Sequence, residues 1–157
     1  MKIIIVTGSV GTGKTALAKK LAKYLKYKYI DVNKVVEGHR LAIGYDRKRK
    51  SKIVDVRRLA KVLINLIIKS RESLIIDSHL SHYIPKKYVD LCIVTKCSLK
   101  NLKKRLKKKK YHEAKIKENL QVEIFDSILV EALERKHKVI SVETDKKYNL
   151  KDIAKFI

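Results

Sequence analysis

Hydrophobic positions along this chain follow two periods. After Lys2 comes an unbroken β-branched run, Ile3-Ile4-Ile5-Val6, the pattern of a strand buried on both faces. From Lys14 the interval lengthens. Leu17, Ala18, Leu21, Ala22 and Leu25 recur three and four residues apart and predict an amphipathic helix over 14–25. A short strand is expected at 29–32. Residues 55–70 return to helical spacing, with Leu59, Val62, Leu63, Leu66 and Ile67 on one face. Residues 73–77 and 88–95 read as further buried strands. Ser98 can cap a helix that runs into the basic stretch 103–110. One long helix is expected over 113–135, a last strand over 138–142 and a closing helix over 149–157. Strands alternating with helices predict an α/β fold whose parallel sheet is covered on both faces. The stretch 31–54 breaks both periods. It is polar and basic, carries Gly38 and Gly44, and reads as a mobile insertion rather than as core.

Composition narrows this picture. One Pro and five Gly in 157 residues leave little material for linkers, so a single domain over 1–157 is expected. Lys and Arg number 39 against 16 Asp and Glu, a formal charge of +23 that would draw nucleotides, RNA, anionic lipid or an acidic protein. A lysine-rich source proteome explains the same excess equally well. Cys92 lies in an apolar run and Cys97 close by. Without further Cys or closely spaced His they form no zinc pattern, and both read as free thiols of a reducing compartment. His82, His112 and His137 read as surface residues. The apolar N-terminus is too short for a signal peptide or a membrane span, which predicts a cytoplasmic protein with no membrane association.

The chemistry is concentrated in Gly8-Ser9-Val10-Gly11-Thr12-Gly13-Lys14-Thr15, which fits Gly-x-x-x-x-Gly-Lys-Thr between a buried strand and a helix. Glycines let successive N–H groups turn onto phosphate oxygens, and the helix N-terminus adds partial positive charge. Lys14 would place an ammonium near the β- and γ-phosphates. Gly11, Thr12, Gly13, Lys14, Thr15 and Ala16 are the expected triphosphate contacts. The Thr15 hydroxyl and Asp77, which ends an apolar strand, are the expected holders of Mg2+. No Asn-Lys-x-Asp guanine signature is present, and the size argues against a helicase or transporter ATPase. A P-loop NTPase three-layer sandwich of the nucleoside monophosphate kinase type is expected. Such an enzyme needs an acceptor-binding insertion, here 31–54, and a short basic lid, here 108–118, because phosphoryl transfer is mostly positioning plus charge neutralisation. Tyr45 and Arg58 are candidate acceptor contacts, and Lys109 a candidate lid contact to ATP.

Beyond the loop, Tyr29-Ile30-Asp31-Val32, Gly44-Tyr45-Asp46, Asp77-Ser78-His79, Tyr111-His112-Glu113 and above all Glu118-Asn119-Leu120-Gln121-Val122-Glu123-Ile124-Phe125 carry a resemblance. The chain resembles the atypical adenylate kinases of archaea and eukaryotes, the CINAP group, and an archaeal member in particular, over nearly its whole length. The resemblance implies magnesium-dependent transfer between ATP and AMP, some ATPase activity, and a part in small ribosomal subunit maturation through ribosomal protein uS-eleven and pre-small-subunit rRNA. It implies a role for His79, with Lys14 and Asp77, in catalysis, and a monomer is expected. A nucleotide-switched assembly ATPase and a kinase for another monophosphate or a small metabolite stay open beside the adenylate kinase. Lys109-Lys110-Tyr111 replaces the family's Arg-Gly-Tyr, which keeps charge and loses the bidentate fork of Arg. Arg105 is a candidate to make up the difference. Ser78 replaces the family's Tyr.

Overall fold

The structure, a computed structural model, describes residues 1–48 and 50–157. Strands β1 (Ile3–Gly8), β2 (Lys28–Asp31), β5 (Leu74–Asp77), β6 (Leu91–Lys96) and β7 (Val139–Glu143) form one sheet in the order β2-β5-β1-β6-β7, every neighbour parallel. The short strands β3 (Ala42–Asp46) and β4 (Ser51–Val54) pair antiparallel as a separate hairpin. The helices are α1 (Lys14–Leu25), α2 (Val32–Gly38), α3 (Val56–Lys69), α4 (Leu99–Lys108), α5 (Glu113–Ile124), α6 (Ser127–Glu134) and α7 (Leu150–Ala154).

The continuous apolar run at the N-terminus feeds two cores. Ile3 and Ile5 join Leu59, Leu63, Ile67 and Ala132 on the face covered by α3 and α6. Ile4 and Val6 point the other way and join Leu17, Leu21 and Ile153 under α1 and α7. The period of two within a strand thus makes one segment the centre of three layers. A smaller cluster, Cys97, Leu102, Leu106 and Ile116, fastens α4 to α5. Cys92 is buried as expected, and burial pushes its thiol up to about 12.

Several expectations change. The first half of 31–54 contributes to the core, because Val32, Val36 and Leu41 are buried in the cluster that includes α3. Asp31 caps α2 by accepting from the Asn33 N–H at 2.9 Å. What stands away from the core is the hairpin, whose Ile43, Tyr45 and Ile53 are exposed. The strand expected from 88 begins at Leu91. Residues Lys86–Tyr88 form a 3-10 turn instead, and the Asp90 carboxylate accepts from the Ile3 N–H at 2.7 Å. The long helix expected over 113–135 is two. Asp126 takes a left-handed conformation, φ 50, which turns the chain between α5 and α6 and lets Lys96 pair with both Glu123 and Asp126. His82 and His137 are buried, not on the surface. Nε2 of His82 meets Glu131 at 2.8 Å and its Nδ1 meets the Thr7 hydroxyl at 3.1 Å, while His137 bonds the His82 carbonyl at 2.9 Å. Burial lowers the pKa of both rings.

Candidate active site

The phosphate loop lies at the carboxyl end of β1, where α/β sheets bind ligands. Its shape depends on three glycines at positive φ, two of which show why most plainly. Gly13 sits at φ 84 as the N-cap of α1, and Gly8 at φ 143, where a Cβ would come within 2.4 Å of Thr95 Oγ1. Beneath the loop Thr12 is fully buried. Its hydroxyl lies 2.7 Å from both the Ser9 carbonyl and Thr95 Oγ1. Arg105 reaches across from α4 and donates to the Gly11 carbonyl at 3.3 Å and to Thr144 Oγ1 at 3.2 Å.

Lys14 Nζ donates to the Ser9 carbonyl at 2.8 Å. Burial lowers its pKa from 10.5 to about 8. The Lys109 ammonium pushes the same way, while Asp77 and Glu123 oppose. A lysine whose charged form is disfavoured in this way is one whose ammonium a bound phosphate would stabilise. Thr15 Oγ1 donates to Asp77 Oδ2 at 2.7 Å, and the Tyr29 hydroxyl donates to the same oxygen at 2.8 Å. Burial and then the Asp77 contact raise the Tyr29 phenol above its ordinary value. Thr15 and Asp77 are thus adjacent although far apart in sequence. Among the described residues no group of three or more His, Cys, Asp and Glu could hold a metal. One carboxylate and one hydroxyl, completed by phosphate and water oxygens, is the donor set that magnesium accepts.

His79 follows Asp77 on the loop after β5. The residue is exposed and does not line the cleft beside the loop. Desolvation by the neighbouring atoms, then the Lys14 ammonium and His82, lowers its pKa to about 4, which favours the neutral ring at pH 7. A cleft of about 560 Å³ opens beside the loop and is lined by Gly11, Gly13, Lys14, Thr15, Ala16 and Lys109, with Arg105, Thr144, Tyr148 and Lys20 among the other lining groups. Lys109 therefore shares the cleft with the phosphate loop. Tyr45 is exposed on β3 and Arg58 exposed in the first turn of α3, where the Asp55 cap holds its backbone N–H at 3.2 Å. Neither of these two lines the cleft.

Sequence reasoning did not assign Tyr148, Thr144 or Ser9 to the site. Lys20 Nζ lies 5.7 Å from the Tyr148 ring centroid at the cleft wall. No periodicity or motif marks Tyr148, because it lies in a loop and is brought in by the order of the sheet. Glu123 was noticed only as part of a resemblance. Its hydrogen bond from Ser9 could have been suspected from an acid on the inward face of an otherwise ordinary helix.

A family model described as an AAA domain matches residues 4–126. Adenylate kinase isoenzyme 6 homolog FAP7 of Saccharomyces cerevisiae is 35% identical over 150 residues, which take in 94% of this chain and 75% of that protein. An adenylate kinase isoenzyme 6 homolog of Caenorhabditis elegans is 33% identical over 131 residues, covering 83% and 72%. Among solved structures, shikimate kinase from Acinetobacter baumannii shares the fold at a TM-score of 0.66 and 16% identity, over 99% of this chain and 89% of that one. Fold, loop and relatives together define a P-loop kinase, an enzyme that transfers a phosphoryl group. The chain belongs to the AAA-domain family and, more narrowly, to the family of the adenylate kinase isoenzyme 6 proteins.

Proposed function

We propose that the protein is an adenylate kinase that converts ATP and AMP to two ADP, with slower ATP hydrolysis when no acceptor is present. The observation that carries this reading is that Lys14 and Thr15 line a cleft together with Lys109 and Arg105, while Thr15 bonds the Asp77 carboxylate beside it. The names of the relatives supply the acceptor. Loop amides from Gly11 to Ala16 and the Lys14 ammonium take the phosphate charge. Thr15 and Asp77 would hold Mg2+, which when bound neutralises phosphate oxygens and helps align them. Tyr148 offers a ring face to the ATP base. Tyr45 and Arg58 receive the AMP base and phosphate, and Lys109 screens the transferring group from above. An acceptor phosphate is already a nucleophile, so transfer needs no general base. A neutral His79 is suited instead to orient a water molecule during hydrolysis.

An acceptor screen tests the proposal. ADP formation from ATP is measured with AMP, with each of the other monophosphates, with shikimate and with no acceptor. AMP should exceed every other acceptor by at least about tenfold in kcat/KM, roughly the 1.4 kcal/mol that one well-placed polar contact supplies. If AMP does not stimulate turnover, the acceptor assignment is wrong.

A second reading rests on α4. Lys100, Lys103, Lys104, Lys107 and Lys108 are exposed along one side of that helix while Leu102 and Leu106 are buried on the other. Such a stripe suits RNA phosphates and supports a nucleotide-dependent part in small ribosomal subunit maturation, with ribosomal protein uS-eleven and pre-small-subunit rRNA as partners. Affinity capture at moderate salt should recover uS-eleven in one nucleotide state and not the other. Recovery of no ribosomal component in either state would count against it.

A further inference from the structure

Two carboxylates are buried among the described residues, Asp77 at 5% exposure and Glu123 at 7%. Asp77 serves the metal seat. Glu123 takes no part in the transfer chemistry, yet it lies beneath a loop that must hold phosphates. An acid there costs desolvation and opposes the anionic ligand, so its position calls for a compensating role.

The contacts show what it is compensated by. Glu123 Oε2 accepts from Ser9 Oγ at 2.8 Å, and Oε1 accepts from the Cys97 N–H at 3.2 Å. Lys96 Nζ stands 3.6 Å from Oε1 and also pairs with Asp126. Ser9 in turn accepts, through its carbonyl, from Lys14 Nζ at 2.8 Å, from Thr12 Oγ1 at 2.7 Å and from the Thr12 N–H at 3.3 Å. One loop residue therefore meets α5 through its hydroxyl and rests the phosphate-binding ammonium on its carbonyl. Helix α5 starts at Glu113, inside the segment 108–118 expected to act as the lid.

We infer that Glu123 is a positioning residue of the phosphate loop. Through Ser9 it holds the loop in the shape that receives phosphate oxygens, and it ties the helix that follows the lid to the resting place of Lys14. If Glu123 only joined α5 to the end of β6, the Cys97 and Lys96 contacts would suffice and the Ser9 bond would be idle. The inference concerns nucleotide binding alone, so it stands or falls independently of which acceptor the enzyme uses.

The test measures ADP affinity by calorimetry at pH 7, without acceptor, for the unaltered protein, Ser9→Ala, Glu123→Gln and the double variant, each with a thermal melt. Ser9→Ala deletes one oxygen and takes the donor from Glu123 Oε2 while the Cys97 and Lys96 contacts stay in place, so it should remain folded and melt only a few degrees lower. Each single change should weaken ADP about tenfold, the usual worth of a hydrogen bond to a charged group. The double variant should bind no more weakly than the weaker single variant, because both act on the one Ser9–Glu123 bond, Ser9→Ala by deleting it and Glu123→Gln by removing the charge that strengthens it. In turnover the KM for ATP should rise while kcat at saturating ATP stays within about threefold. Unchanged ADP affinity in folded Ser9→Ala overturns the inference. So does tighter binding in Glu123→Gln, the result expected if the acid merely repels phosphate, and so does an additive double variant. Should Glu123→Gln fail to fold, Ser9→Ala decides alone.

Discussion

Lys14 sets a sharp pH dependence on nucleotide binding. In the empty protein its pKa is lowered from 10.5 to about 8, by burial first and by Lys109 second. At about 1.4 kcal/mol per pH unit this corresponds to at most about 3.5 kcal/mol, less in practice because the side chain keeps some solvent contact. That cost burdens the fold below about pH 8 and is relieved as pH rises toward 10.5, since over that range the unfolded chain holds the extra proton. Phosphate binding returns an anion to the ammonium and raises its pKa again. Near pH 7 about nine-tenths of the free protein already carries the charge, and binding takes up roughly 0.1 proton. By pH 9 the proportions reverse and binding takes up about 0.9. ADP affinity without metal should therefore be flat up to about pH 7.5 and some tenfold weaker at pH 9. The last phosphate ionisation, near 6, lies outside this window. Calorimetry in two buffers of different ionisation heat reads the proton count directly. Lys14→Met should bind weakly and abolish the pH dependence. A flat affinity from pH 7 to 9.5 in the unaltered protein would falsify the argument, because Lys14 would then be either solvated or remote from the phosphates.

Three further outcomes follow from the geometry. Asp77→Asn leaves an oxygen for the Thr15 and Tyr29 hydroxyls but removes the charge that holds a cation, so turnover at a fixed low magnesium concentration should drop by about a hundredfold, with the magnesium requirement shifted upward. A variant that works normally at that concentration would remove Asp77 from the metal seat. Tyr45→Ala and Arg58→Ala should each raise the KM for AMP about tenfold and leave the KM for ATP within twofold; Arg58 contributes to the Asp55 cap only through its backbone, so its melt should not move, and an equal effect on both substrates would refute the acceptor role. Asp145 is bonded by the Ser98 hydroxyl, then by Asn101 Nδ2 and the Ser98 N–H, these last two both at 3.0 Å, and together they hold its carboxyl well below the usual range. Its stabilisation is present above about pH 4 and lost as pH falls through the folded-state value, so Asp145→Asn should lower the melting temperature at pH 7 and converge on the unaltered protein in strong acid; a constant difference at every pH would rule this out.

What the chain by itself determined is local. The run at Ile3 to Val6, the helical spacing after Lys14 and the glycines at 8 and 13 act within a few residues, and they predict the strand–loop–helix unit and the parallel sheet that follows from repeating it. The caps at Ser98 and Asp31 are local too, although only the first was anticipated. The tertiary structure decided the rest because the groups concerned are distant in sequence. Only the closing of the sheet brings Asp77 to Thr15, 62 residues away, Arg105 to Thr144, and Glu123 to Ser9, 114 residues away. Burial of His82 and His137 also needed the packed α6, since an isolated imidazole carries no sign of whether a carboxylate and a carbonyl will come to meet it. The break at Asp126 was hidden for a related reason: helical periodicity runs on through it, and the left-handed turn is met by Lys96 of β6, 30 residues away.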